Sequence, residues 1–383
     1  MRVAFDARKL HDFGIGTHIR GLLGEFARLR CPAELVVYLP PAGEPPSLAA
    51  APGIEWRVEG ARPYSLEELW RLALRARRDR AQLFHAPHYV CPPILPCPAV
   101  VTIHDVIHLR FAGELRSPLA PLYARVMLRL AVRRAARVIT VSEATRRDLE
   151  AWLGARPERL RVIPNGVGAH FAPAPEGARP DPGLAALGAA PPYFLFVGNP
   201  LPHKNLDRLL EAFVGLPAGV GRLVLAGIPP AARPAVLRAC EARGLGPRAV
   251  VLAPVPETVL PRLYQSATAL VCPSLWEGFG LPALEAMACG TPVLAADRGG
   301  LAEVVGRAGL LVDPTNVDAL REGMYNLAVQ ERLRAELRTA GLVRARAFSW
   351  QQAAERTIAV YREVLGEVPG EPARVTDAGR AGP

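Results

Sequence analysis

The chain has 383 residues and a mass of 41.2 kDa, a length that fits two domains of ordinary size. Half of the residues are hydrophobic and 21% are charged, which excludes a wholly disordered, collagenous or coiled-coil chain and allows a core without disulfide or metal staples. The formal net charge is +10, and 44 of the 46 basic side chains are arginine, with Lys9 and Lys204 the two lysines.

Residues 1–6 read as a short strand ending on an acid. No apolar leader precedes them, so a cytoplasmic location is expected. Further strands are expected at 34–39, 53–59, 82–86, 99–105, 137–142 and 160–164, with helices at 17–29, 65–79, 118–136 and 143–153. The strands are short and mostly apolar on both faces, as in Arg137-Val138-Ile139-Thr140-Val141-Ser142. Alternating with helices, that pattern indicates a parallel sheet covered on both sides. Residues 82–103 lack formal charge and are long enough to span a bilayer, but Pro87, Pro92, Pro93, Pro96 and Pro98 argue against a membrane helix. The six cysteines are scattered, as expected of reduced thiols.

Residues 172–192 are rich in Pro, Ala and Gly and read as a linker. The pattern then restarts, with strands expected at 193–198, 222–226, 249–254, 269–272, 292–296 and 309–312. Helices are expected at 205–215, 231–243, 257–266, 281–289, 317–329, 331–347 and 350–365. The tail 367–383 is expected to be disordered. The fold class is therefore α/β, with two doubly wound parallel sheets in tandem and a cleft between the carboxyl ends of their strands.

Charge is uneven: residues 1–172 hold 25 basic and 16 acidic side chains, residues 173–383 hold 21 and 20. Arg71, Arg75 and Arg78 share one helix face, and Arg125, Arg129 and Arg133 recur at i, i+4 and i+8. Two accounts stand at this point, a solvated surface and a peripheral contact with an anionic membrane. Aromatic residues make up 6% of the chain and form no evident stacking platform, which argues against nucleic acid.

Two segments carry candidate chemistry. In Phe196-Val197-Gly198-Asn199-Pro200-Leu201-Pro202-His203-Lys204-Asn205, a strand ends and a helix begins with Asn205 as its expected cap. Lys204 then sits beside free helix N–H groups, where an anion binds readily. In Cys272-Pro273-Ser274-Leu275-Trp276-Glu277-Gly278-Phe279-Gly280-Leu281-Pro282-Ala283-Leu284-Glu285, a strand runs into a glycine-bearing loop flanked by two carboxylates. Carboxylates accept hydrogen bonds from sugar or ribose hydroxyls. The plainer account makes Lys204 a surface lysine, Glu277 a solvated acid and Glu285 a helix-dipole partner.

The Glu277-x7-Glu285 spacing around Gly-Phe-Gly-Leu-Pro resembles the signature of family 4 retaining glycosyltransferases of the GT-B fold. Asp6-Ala7-Arg8-Lys9 through Gly14-Ile15-Gly16-Thr17, Phe84-His85-Ala86-Pro87-His88, Thr102-Ile103-His104-Asp105, Thr140-Val141-Ser142-Glu143 and Ile163-Pro164-Asn165-Gly166-Val167 resemble the family's other blocks in order. So do Gly290-Thr291-Pro292-Val293 and Gly299-Gly300-Leu301-Ala302-Glu303, and the match spans roughly residues 1–350. It is most similar to the bacterial subgroup that adds mannose or related hexoses to polysaccharide or lipid-linked glycans.

The resemblance implies an acceptor-binding domain over 1–171, a nucleotide-sugar domain over 193–348, and a helix within 349–366 crossing back to the first domain. It implies that Lys204 binds the donor diphosphate and Glu285 the ribose hydroxyls. Glu277, with Gly278 and the amides of Phe279 and Gly280, would hold the donor sugar. Gly16 would lie in a glycine loop against the phosphates, and His104 would face the sugar at the reaction centre. Where many members carry Arg after the first strand of the second domain, this chain has Asn199, and Arg8 or Arg298 is the expected substitute.

No Asp-x-Asp pair occurs, so the leaving diphosphate is expected to be stabilised without metal or other cofactor. His85, His88, Cys91 and Cys97 are zinc-type residues, but the loop is crowded with proline and no metal is expected. Other readings are a nucleotide-sugar epimerase of the same architecture, which needs no acceptor, and a nucleotide-sugar-binding module without catalysis. Gly14-Ile15-Gly16 is a weak dinucleotide hint without a third glycine in register, and a dehydrogenase lacks support because no acid follows this loop at the distance ribose recognition needs.

Overall fold

A computed structural model describes residues 1–29, 31, 33–41, 52–114, 120–175, 177 and 181–366. The tail 367–383 lies outside the described residues. The first sheet contains β1 (Arg2–Asp6), β2 (Glu34–Leu39), β3 (Ile54–Val58), β4 (Leu83–Ala86), β5 (Ala99–Ile103), β6 (Arg137–Thr140) and β7 (Leu160–Val162), in the order β3-β2-β1-β4-β5-β6-β7. The second contains β8 (Tyr193–Val197), β9 (Arg222–Ala226), β10 (Ala249–Val251), β11 (Ala269–Cys272), β12 (Val293–Ala296) and β13 (Leu310–Val312), in the order β10-β9-β8-β11-β12-β13. All neighbouring strands run parallel. The apolar runs explain this: β1, β4 and β5 are buried nearly throughout, which requires helices on both faces.

Strand order reverses at β1/β4 in the first sheet and at β8/β11 in the second. In such sheets ligands bind beyond the carboxyl ends of the strands at the reversal. The segment after β8 carries Lys204 and the segment after β11 carries Glu277, so both candidates fall at the same switch point.

The first helix runs Phe13–Arg28, four residues earlier than expected. Gly16 therefore lies in its first turns rather than in a loop. The Leu10 carbonyl packs on the helix so closely that a Cβ at Gly16 would come within 2.4 Å of its oxygen, which accounts for the glycine. The segment expected as a linker contains a helix, Pro182–Ala186, capped by the Asp181 side chain. Leu184 and Ala189 are buried in the core of the second unit, so residues 181–192 pack with that unit.

The last helix, Trp350–Leu365, starts at a Ser349 cap and lies on the first unit. Trp350, Ala353, Ala354, Ile358 and Tyr361 recur at helical spacing and join a buried cluster with Leu22, Leu23 and Phe26. Trp350 crosses the first helix at Gly21, where a Cβ would come within 2.3 Å of the indole. The Tyr361 hydroxyl lies 2.6 Å from His85 Nδ1.

Arg71 and Arg75 do not form a free basic face. Arg71 pairs with Glu59 and Glu67, and Arg75 with Asp79. Arg125, Arg129 and Arg133 enter no ion pair among the described residues. No helix among the described residues is long and apolar enough to cross a membrane.

Candidate active site

β8 ends at Val197, and Gly198 turns the chain at φ 147° into the single turn Pro202–Lys204. The Lys204 ammonium donates to Glu277 Oε1 at 2.5 Å, and the Ser274 hydroxyl donates to the same oxygen at 2.7 Å. Lys204 and Glu277 are mostly buried. Burial alone would raise Glu277, but the Lys204 charge and the two hydrogen bonds outweigh it and hold the carboxylate below its ordinary range. Burial likewise opposes charge on Lys204, and Glu277 more than restores it, raising the lysine. The site therefore carries a full positive and a full negative charge at neutral pH.

Asn205 does not cap the helix Leu206–Val214. Its backbone is left-handed, at φ 60°, and its amide donates instead to the carbonyls of Pro273 and Pro314 at 2.9 and 2.7 Å. Its job is to tie the Lys204 turn to the loop that carries Glu277.

That loop ends at Gly280, whose φ of 105° launches the helix Leu281–Ala288 with Pro282 in its first turn. The Phe279 ring turns into the core, 5.8 Å from Phe348. The N–H groups of Gly278, Phe279 and Gly280 donate to no described residue. Gly278 meets the opposite unit: a Cβ there would come within 2.0 Å of the His104 carbonyl oxygen. His104 is positioned by donation from its Nε2 to the Pro87 carbonyl at 2.9 Å and by Thr145 Oγ1 donating to its carbonyl at 3.0 Å. Burial lowers its affinity for a proton, so the imidazole stays neutral with Nδ1 as acceptor. Glu303 fastens the same seam, accepting from the Glu143 N–H and from Arg147, both at 2.8 Å.

Glu285 does not join the Lys204–Glu277 cluster. It lines a cavity of about 760 Å³ with Thr17, Arg20, His170 and Glu257, whose walls include neither Lys204 nor Glu277. The Tyr264 hydroxyl donates to its Oε2 at 2.8 Å, and burial pushes its pKa up to about 7.

Both expected substitutes at Asn199 are engaged by carboxylates. Arg8 is buried between Asp6 at 2.7 Å and Glu68 at 2.9 Å, and Arg298 is paired with Asp313 at 2.7 Å. Ser274, Tyr264 and Arg20 were not singled out from the sequence. Ser274 has a local signal, three residues before Glu277, whereas Tyr264 and Arg20 are brought in only by tertiary packing. Of the zinc-type residues, His85 is occupied by Tyr361 and by Thr102 at 2.9 Å, and His88 lies 3.3 Å from Asp6.

Two parallel-sheet Rossmann-like domains meeting at this seam form a GT-B fold, and the sequence matches the same class. Residues 14–170 match the model for Glycosyltransferase Family 4, and residues 186–343 match the model for Glycosyl transferases group 1. The chain belongs to the family 4, group 1, glycosyltransferases. It is 32% identical over 296 residues to O-antigen chain mannosyltransferase B of Escherichia coli, covering 76% of each chain. It is 32% identical over 358 residues to D-inositol 3-phosphate glycosyltransferase of Nocardiopsis dassonvillei, covering 83% of this chain and 82% of the other. Among solved structures, sucrose-phosphate synthase from Thermosynechococcus elongatus matches 96% of this chain and all of that one, with a TM-score of 0.78 at 21% identity. HepE of Anabaena in complex with UDP and glucose has the same TM-score at 20% identity, covering 95% of this chain and all of its own.

Proposed function

We propose that this glycosyltransferase moves a hexose of the mannose type from a nucleoside-diphosphate sugar to a glycan or lipid-linked acceptor, with retention and without a metal ion. The observation that carries this reading is the Lys204–Ser274–Glu277 cluster at the switch point of the second sheet, facing His104 across the seam. Breaking the sugar–phosphate bond puts negative charge on the leaving diphosphate, and Lys204 supplies a fixed positive charge there. Glu277, ionised, accepts hydrogen bonds from donor-sugar hydroxyls, and the free N–H groups of Gly278, Phe279 and Gly280 offer donors beside it. Glu285 accepts from the ribose hydroxyls in its cavity.

Oε1 of Glu277 is committed to Lys204 and Ser274, which argues against its attacking C1. The acceptor hydroxyl then attacks on the face the diphosphate leaves. The bond from C1 to the phosphate oxygen breaks, the bond from C1 to the acceptor oxygen forms, and the acceptor proton passes to the departing phosphate. The similarity to a mannosyltransferase supports the sugar class, and the absence of Asp-x-Asp supports metal independence.

Lys204→Ala and Glu277→Gln should each cut acceptor-dependent release of nucleoside diphosphate at least tenfold, about 1.4 kcal/mol of barrier. Wild-type rates in either variant contradict the assignment. Turnover of the donor without acceptor into an isomeric sugar nucleotide would favour the epimerase, and no release at all the binding module. If the acceptor is lipid-linked, the enzyme also contacts an anionic membrane. The helix Leu66–Arg78 exposes Leu66, Trp70 and Leu74 along one face and ends in Arg77 and Arg78, a combination that favours an interfacial position. Trp70→Ala should weaken co-sedimentation with anionic vesicles at low salt, and no sedimentation of the wild type sinks the membrane contact.

A further inference from the structure

A nucleoside diphosphate brings more negative charge than one ammonium can balance, and Lys204 is already shared with Glu277. Arg8 and Arg298 are spent on carboxylates. Of the two arginines lining the Glu285 cavity, Arg262 is paired with Asp181 at 2.6 Å. The other, Arg20, is in no ion pair among the described residues. It donates from Nη1 to the Leu10 carbonyl at 2.7 Å and from Nη2 to Thr17 Oγ1 at 3.3 Å, which leaves most of its five N–H groups free.

Its position is specific. Arg20 stands one helical turn after Gly16, and a Cβ at Gly16 would lie 3.1 Å from Arg20 Nη1, so the glycine leaves the space in which the guanidinium rests. On the same helix, a Cβ at Gly14 would touch Leu281 at 3.8 Å, and Leu281 opens the helix that carries Glu285. A half-buried, carboxylate-free arginine from the first domain thus reaches into the cavity whose far wall belongs to the second.

We propose that Arg20 is a donor-binding residue: it binds the phosphate of the nucleotide from the first-domain side, while Lys204 binds from the second. This rests on the donor assignment above and adds to it a bridge, since one dianionic group would hold both domains together. The planar fork of arginine suits two phosphate oxygens at once, and a lysine in its place does not reproduce that geometry.

The test is calorimetric titration of the full chain with UDP and GDP and with the matching nucleosides, uridine and guanosine. Arg20→Gln should weaken the nucleoside diphosphate that wild type binds at least tenfold and leave its nucleoside within twofold. Arg20→Lys should recover only part of the loss. Thermal unfolding of each variant separates this from damage to the Leu10 contact, which would weaken nucleoside and diphosphate alike. Equal diphosphate affinity in wild type and Arg20→Gln overturns the role of Arg20 and leaves the donor assignment standing. Failure of the wild type to bind either diphosphate overturns both.

Discussion

At the scale of single residues, the site is a set of charges whose ionisation is decided by burial and partners. Glu277 and Glu285 have the same side chain and sit eight positions apart, yet their environments push them in opposite directions. Glu277 has Lys204 within 2.5 Å and is held ionised. Glu285 has only a hydroxyl partner and is pushed from its ordinary 4.5 to about 7. Because the folded state binds that proton more tightly, Glu285 favours folding below pH 4.5 and this advantage is lost as the pH rises through about 7. The unliganded protein should therefore lose up to about 3 kcal/mol from this group across that window. Glu285→Gln should flatten the fall in thermal stability between pH 4.5 and 7. An unchanged pH profile in the variant would contradict the burial assigned to this carboxylate.

At the scale of elements, the strands were the most legible part of the chain. Short runs apolar on both faces mark the central strands of both sheets, because a parallel strand buried on two sides tolerates little else, whereas the edge strand β3 carries Glu55 and Arg57 and is partly exposed. Helix starts were less legible. The first helix absorbs Gly14 and Gly16, which read locally as a loop, and packing under the Leu10 carbonyl demands the missing Cβ at Gly16. Asn205 has the composition of a cap but a left-handed backbone and distant carbonyl partners, and no local pattern encodes those. The Lys204–Glu277 contact joins residues 73 apart. The family resemblance implied that they share a site, and their hydrogen bond is visible only in the fold. Arg20 has no local signal for the same reason, since what distinguishes it is the lack of an ion-pair partner among the described residues.

The last helix belongs to this scale too. His85 is buried between the Tyr361 hydroxyl and Thr102, and burial pushes its pKa down to about 3, so it is a neutral group that needs both partners. Tyr361→Phe leaves one ring nitrogen buried and unpartnered, which should cost about 1–3 kcal/mol in urea unfolding. A change below half a kcal/mol would show that the helix is held by its apolar face alone.

At the scale of the whole molecule, the chain places one face of the site on each domain and ties the two together by sequence economy. Its two lysines both follow the first strand of a sheet, Lys9 after β1 and Lys204 after β8. Lys9 is consumed by Asp12 and Tyr64 at 2.9 and 2.8 Å, so of the two it is Lys204 that lies beside the nucleotide-sugar candidates. Gly278 against His104, and Glu303 against Glu143 and Arg147, close the seam around it. The central claim is that a sugar nucleotide is gripped here by Lys204 at the diphosphate and by Glu285 at the ribose. A crystal structure with the bound nucleoside diphosphate tests it most directly. The account predicts a phosphate oxygen within hydrogen-bond distance of Lys204 Nζ and ribose hydroxyls on Glu285. A nucleotide bound elsewhere, or one whose phosphates leave Lys204 on Glu277 alone, would contradict it.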